Sequence, residues 1–162
     1  MSASLTLALL VPFHGAIAAD WARMSNAHAG ASTVPASVSS IWASAIAENR
    51  ATVTRNTGRY LPPNIGWARI QTSRGPVVIT TLESKCEAPN GASASNAMIC
   101  SYVIASENQA FSPVKVSGCY IERDKSSGTD IRYDSAKDAL NIRIFGAGAA
   151  DAGCASSVPL PH

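Results

Sequence analysis

Histidine is scarce in this chain, and its three copies sit where no rigid framework would hold a general base. His14 lies in an apolar N-terminal run, His28 in a segment rich in small polar residues, and His162 at the last position. Ser-His-Asp and Cys-His catalysis are therefore not expected, and neither a Gly-x-Ser-x-Gly nor a His-Glu-x-x-His pattern occurs. Closely spaced cysteines are also missing. A structural zinc site brings two ligands within a few residues so that one turn presents both sulfurs to the metal, but Cys86, Cys100, Cys119 and Cys154 are all more than a dozen residues apart. No residue set reads as a metal or cofactor site. Charge is sparse at 15% and aromatics at 6%. No basic stripe with interleaved aromatics is present, which argues against nucleic acid as a partner.

What is present begins with an address. Ser4 to Ala19 carries no charge and runs through Leu5, Leu7, Leu9, Leu10 and Val11 into Ala16-Ile17-Ala18-Ala19. An apolar stretch followed by small residues one and three positions before a cut is the pattern of an export signal, with cleavage before Ala19 or one residue later. Residues 1–19 are thus read as a signal peptide and the mature chain as periplasmic or secreted. The stretch is too short to cross a bilayer, which takes about 20 apolar residues, so no transmembrane span is expected after processing.

An even cysteine count in an exported chain implies two disulfides. Three pairings are open. Local closure, Cys86–Cys100 with Cys119–Cys154, is favoured over Cys100–Cys119 with Cys86–Cys154, because directly opposed cross-strand bridges store strain.

Residues 20–34 are rich in Ala, Ser, Asn and Gly and read as a flexible lead-in, with 35–162 a single domain. Val38, Ile41, Trp42, Ala45, Ile46 and Val53 recur at helical spacing, which predicts an amphipathic helix of about five turns between Pro35 and Gly58. Pro62-Pro63 then breaks the chain. Beyond it, short β-like runs at 67–72, 76–82, 98–105, 114–122, 131–133 and 140–145 predict an antiparallel meander. Matching apolar faces places Cys100 opposite Cys119 in one hairpin, since a one-residue slip would turn Lys115 and Ser117 to the core face; in another it places Tyr133 opposite Leu140. The fold class is α+β: one N-terminal helix on a disulfide-stabilised, five- to six-stranded antiparallel sheet.

Function is narrowed by exclusion. Asp124, Asp130, Asp134 and Asp138 superficially suggest a calcium loop, but Gly128 stands at the fifth position from Asp124 and Ser135 at the twelfth, so these acids read as solvating two turns. Glu83, Glu87, Glu107 and Glu122 supply carboxylates for a small envelope hydrolase, with nothing in the spacing to pair any two. The N-terminal part is basic, with seven Lys/Arg against three Asp/Glu from Asp20 to Lys85, and six against eight beyond. Arg50, Arg55, Arg59, Arg69 and Arg74 cluster in sequence with Tyr60 and Trp67. Arg55, Arg59, Tyr60, Trp67 and Arg69 form the predicted contact patch, suited to an acidic protein partner. Such a chain reads as a non-enzymatic exported binder: an inhibitor, an immunity-type protein or an envelope-assembly component. The order of apolar N-terminus, helix, proline-marked loop, meander and cysteine-tied end also resembles the layout of type IV pilins and pseudopilins, which would imply a structural subunit of a surface assembly. The family's glycine motif differs here, with Gly15 followed by Ala16 and Asp20 five residues after the glycine.

Overall fold

The computed structural model describes residues 20–87, 97–146 and 156–161. The expected signal segment, most of the 87–97 excursion, and Cys154 lie outside the described residues.

Two short strands open the described chain, β1 (Ala22–Arg23) and β2 (Ser25–His28), followed by helix α1 (Ala36–Thr57). Six strands then follow, β3 (Asn64–Thr72), β4 (Gly75–Glu87), β5 (Met98–Ser106) and β6 (Val114–Tyr120) in hairpin succession, then β7 (Gly128–Asp134) and β8 (Ala139–Phe145) as a separate hairpin. β9 (Ser156–Pro159) completes them. Each of the six predicted runs contains a strand, the run at 114–122 ending at Tyr120, and the α+β class stands. They divide between two antiparallel sheets, ordered β2-β3-β4-β5-β6 and β1-β7-β8-β9. The helix covers the outer face of the five-stranded sheet, whose inner face packs on the four-stranded one.

The physical reason for two sheets lies in β4. Val77 to Leu82 is buried without a break. Val77 and Ile79 point into the core between the sheets, while Val78 and Leu82 point toward α1. A strand covered on both faces reads as a continuous apolar run rather than an alternation, and a single sheet under one helix could not bury it.

The same double coverage corrects the β5–β6 register. Tyr102 opposes Val116 and Cys100 opposes Gly118, so Cys119 faces Ile99 rather than Cys100. Matching one apolar face misleads here because β5 has two. Cys100, Tyr102 and Ile104 enter the inter-sheet core, and Val103 enters the helix side. Lys115 and Ser117 share Val103's face but remain exposed, because α1 does not extend over β6, an edge strand. The β7–β8 hairpin has the predicted register, Tyr133 against Leu140 and Ile131 against Ile142.

Cys86 and Cys100 oppose each other on β4 and β5 with Cα atoms 4.0 Å apart and form a disulfide. This excludes a Cys100–Cys119 bridge. Cys119 carries no free thiol either, and its expected partner Cys154 lies outside the described residues.

Pro35 precedes the first turn of α1, and Gly58 closes it in the left-handed conformation (φ 70°), donating its N–H to the Thr54 carbonyl at 2.9 Å. Only Val38 and Trp42 are fully buried. Past Ile46 most helix residues are exposed. No helix among the described residues is long and apolar enough to cross a membrane.

The segment 20–34, expected as a flexible lead-in, is instead built into both sheets. β1 pairs with β7 and β2 with β3. Met24 between them is 1% exposed, and its N–H donates to the Thr129 carbonyl at 2.9 Å. Strands this short gain order from their partners, not from propensity or alternation of their own.

Candidate functional site

Register lines up three charges across the outer face of the four-stranded sheet. Arg23 on β1 opposes Asp130 on β7, which opposes Arg143 on β8. Arg143 donates to Asp130 Oδ2 from Nε at 3.2 Å and Nη2 at 3.0 Å, and Arg23 Nε stands 3.5 Å from Oδ1. One carboxylate thus serves two guanidiniums and leaves excess positive charge. The Arg23 guanidinium also lies 4.2 Å above the Phe145 ring. The Trp21 ring lies 4.7 Å from the guanidinium of Arg132 and 4.0 Å from that of Arg143. These contacts hold long cationic side chains in place and lower the entropy each would lose on meeting a ligand.

Arg23 reaches from this face to a groove of about 830 Å³ that is wide open to solvent, lined by Ser25, Asn26, Thr33, Trp67, Arg123, Asp124 and Lys125 as well as itself. A second hollow of about 400 Å³ shares Arg23, Ser25 and Trp67 and continues to Ser37 and Val38 on α1 and to Arg69 and Glu107. Half-buried Trp67 is thus common to both hollows.

Three of the lining residues of the larger groove are cationic and one is acidic. That acid is already engaged. Asp124 Oδ1 accepts the backbone N–H groups of Ser126 and Ser127, each at 2.6 Å. These bonds, the one from Ser126 foremost, hold the Asp124 carboxyl below its ordinary value, together with the Ser127 side chain. Arg69 is likewise occupied, with Nε 2.7 Å from Glu107 Oε2.

The predicted patch does not come together. Trp67 and Arg69 lie beside the first turn of α1, in the hollow that contains Ser37 and Val38. Arg55 lies 17 residues further along the helix than Val38, about 25 Å at the α-helical rise. Arg55 and Arg59 are exposed at that far end, and Tyr60 stacks 5.1 Å from the guanidinium of Arg50. Arg74 is engaged elsewhere, bonded to Asp138 and to the Pro161 carbonyl.

The four spaced aspartates divide among three tasks. Asp124 and Asp134 cap turns, Asp138 joins Arg74 and the Tyr133 hydroxyl, and Asp130 is buried between arginines rather than solvating a turn. Among the described residues no group of three or more His, Cys, Asp or Glu converges. Two of the glutamates share one hydrogen-bond partner: the Asn64 backbone N–H donates to Glu83 Oε2 at 2.9 Å, and Asn64 Nδ2 to Glu122 Oε1 at 2.6 Å.

No family model, curated protein or solved structure matches the chain.

The sequence does not point to Arg23, Arg123 and Lys125 together because Arg23 is far along the chain from the other two and sits in a segment with no periodicity. The signal available was the alternation Trp21-x-Arg23 beside Arg132 and Arg143. It becomes legible once β1 is known to be a strand.

Proposed function

We propose that the protein is exported and acts as a non-enzymatic binding protein, taking an acidic segment of a partner protein along the groove at Trp67. The observation that supports this reading is the gathering of Arg23, Arg123 and Lys125 around a half-exposed indole, with the one acid of the groove already bonded to Ser126 and Ser127. Guanidinium groups match carboxylates in two-pronged geometry, and an aromatic platform adds apolar contact, the pairing of residue types that dominates protein interfaces. An open groove suits an extended segment better than a small molecule, which is ordinarily enclosed. Export rests on the N-terminal apolar run and accords with a disulfide-bonded domain. The partner is thus sought in the cell envelope or outside the cell, where inhibitors, immunity-type proteins and assembly components act.

The test is capture from envelope and secreted fractions of the source, with the oxidised protein tagged at its C-terminus as bait. A stoichiometric acidic partner retained by the wild type and by Arg55→Ala/Arg59→Ala, but lost with Arg123→Ala/Lys125→Ala, supports the reading. Retention by every variant would contradict it.

A further inference from the structure

Glu122 and Glu83 carry like charges, end on the same residue, and have no Lys, Arg or His within ion-pair distance among the described residues. Glu122 Oε1 also accepts from Asn26 Nδ2 at 2.9 Å. Asn26 lies on β2 directly opposite Gly66 on β3, and Asn64 lies two residues before Gly66, on the same face.

A second observation points into this cluster. Tyr120 is 2% exposed, and its hydroxyl is buried without a hydrogen-bond partner. That hydroxyl lies 2.8 Å from where a Cβ on Gly66 would sit, so it is aimed at the strand position that Asn26 and Asn64 flank. A buried hydroxyl left unbonded destabilises the fold, and the cost is removed when a ligand or its bound water supplies the partner.

We propose that Glu83, Glu122, Asn26 and Asn64, backed by the Tyr120 hydroxyl, form a binding site for a calcium ion. The donor set is all oxygen once each amide presents its Oδ1, an exchange that rotates the amide group alone. Two carboxylates and two amide oxygens offer four to six oxygens, bound water completes the six to eight that calcium takes, and hard neutral and anionic oxygens without sulfur or imidazole select it over zinc. The cation neutralises the two carboxylates and, through its bound water, satisfies the phenol. Sequence spacing hides such a site because its ligands come from β2, β3, β4 and the segment after β6.

The experiment uses the full chain freed of metal by chelation, titrated with calcium chloride in a calorimeter and, separately, with terbium, whose emission is sensitised by a nearby excited tyrosine. The expected result is saturable calcium binding with a dissociation constant of roughly 10⁻⁴–10⁻³ M, the range of extracellular calcium modules. Calcium should displace the terbium. Glu122→Gln and Glu83→Gln, shown folded by circular dichroism, should each weaken binding about tenfold or more. Tyr120→Phe should reduce the sensitised emission. Absence of saturable binding by folded wild type overturns the proposal. So does unchanged binding in both glutamine variants, or unchanged emission in Tyr120→Phe.

Discussion

Trp42 on α1 donates its indole N–H to the Thr80 hydroxyl on β4 at 3.1 Å, and that hydroxyl donates onward to the Gly66 carbonyl on β3 at 2.8 Å. Helix and sheet are thus joined by a buried polar chain inside an otherwise apolar contact. Thr80→Val should leave the Trp42 N–H without a partner and cost about 1–3 kcal/mol. Trp42→Ala should cost about 3–5 kcal/mol, because it also opens a cavity between α1 and the sheet. Urea unfolding curves check both, with Thr80→Ser, which keeps the hydroxyl, expected nearer to wild type.

Gly66 is required by the close approach of Tyr120. A Cβ there would meet the phenol oxygen at 2.8 Å and ring carbons at 2.9 and 3.0 Å. Gly66→Ala should therefore destabilise by about 1–3 kcal/mol through overpacking. The double variant Gly66→Ala/Tyr120→Leu should recover part of the loss, and a double-mutant cycle measures how much.

The buried tyrosines give the fold an alkaline limit. Burial foremost, then the neighbouring Tyr120 phenolic group, pushes the Tyr102 phenol up, and Tyr102 donates to the Cys119 carbonyl at 2.8 Å. The folded state thus holds both phenols protonated above the range near 10 where an unfolded tyrosine ionises. Their contribution to stability is intact below about pH 10 and is lost as pH rises beyond it. Phenolate absorbance of Tyr102 and Tyr120 should appear together with loss of circular dichroism. Full ionisation of every tyrosine in a still-folded protein would be inconsistent with this burial.

The Cys86–Cys100 bridge closes a 14-residue separation between adjacent strands. Replacing both cysteines with serine should lower stability by about 3 kcal/mol through the entropy of the unfolded chain. The denaturation midpoint should fall, with the larger share of the change in the unfolding rate if the bridge forms late in folding.

Where local rules dominate, the fold was legible. Pro35 and Gly58 bracket α1, the apolar spacing around Trp42 marks its packed face, and the β7–β8 register follows from Tyr133, Ile131, Leu140 and Ile142. What stayed hidden depends on tertiary partners. β1 and β2 have no alternation of their own and are ordered by β7 and β3. The two-sheet division and the β5–β6 register both turn on strands buried on two faces, where a rule built on one apolar face gives the wrong partner for Cys100. At the site, Trp67 and Arg69 were legible as surface residues. Arg55, Arg59 and Tyr60 are separated from them by the length of α1, and sequence proximity across a long helix is a poor guide to spatial proximity.

The most direct test of the central claim is an NMR titration of the protein with a short Glu/Asp-rich peptide at low ionic strength. The expected perturbations centre on Arg23, Ser25, Trp67, Arg123 and Lys125. They should weaken as salt shortens the Debye length to about 8 Å at physiological strength. They should be lost in Arg123→Ala/Lys125→Ala and unchanged in Arg55→Ala/Arg59→Ala. Perturbations confined to the far end of α1, or a response indifferent to the groove substitutions, would contradict the account.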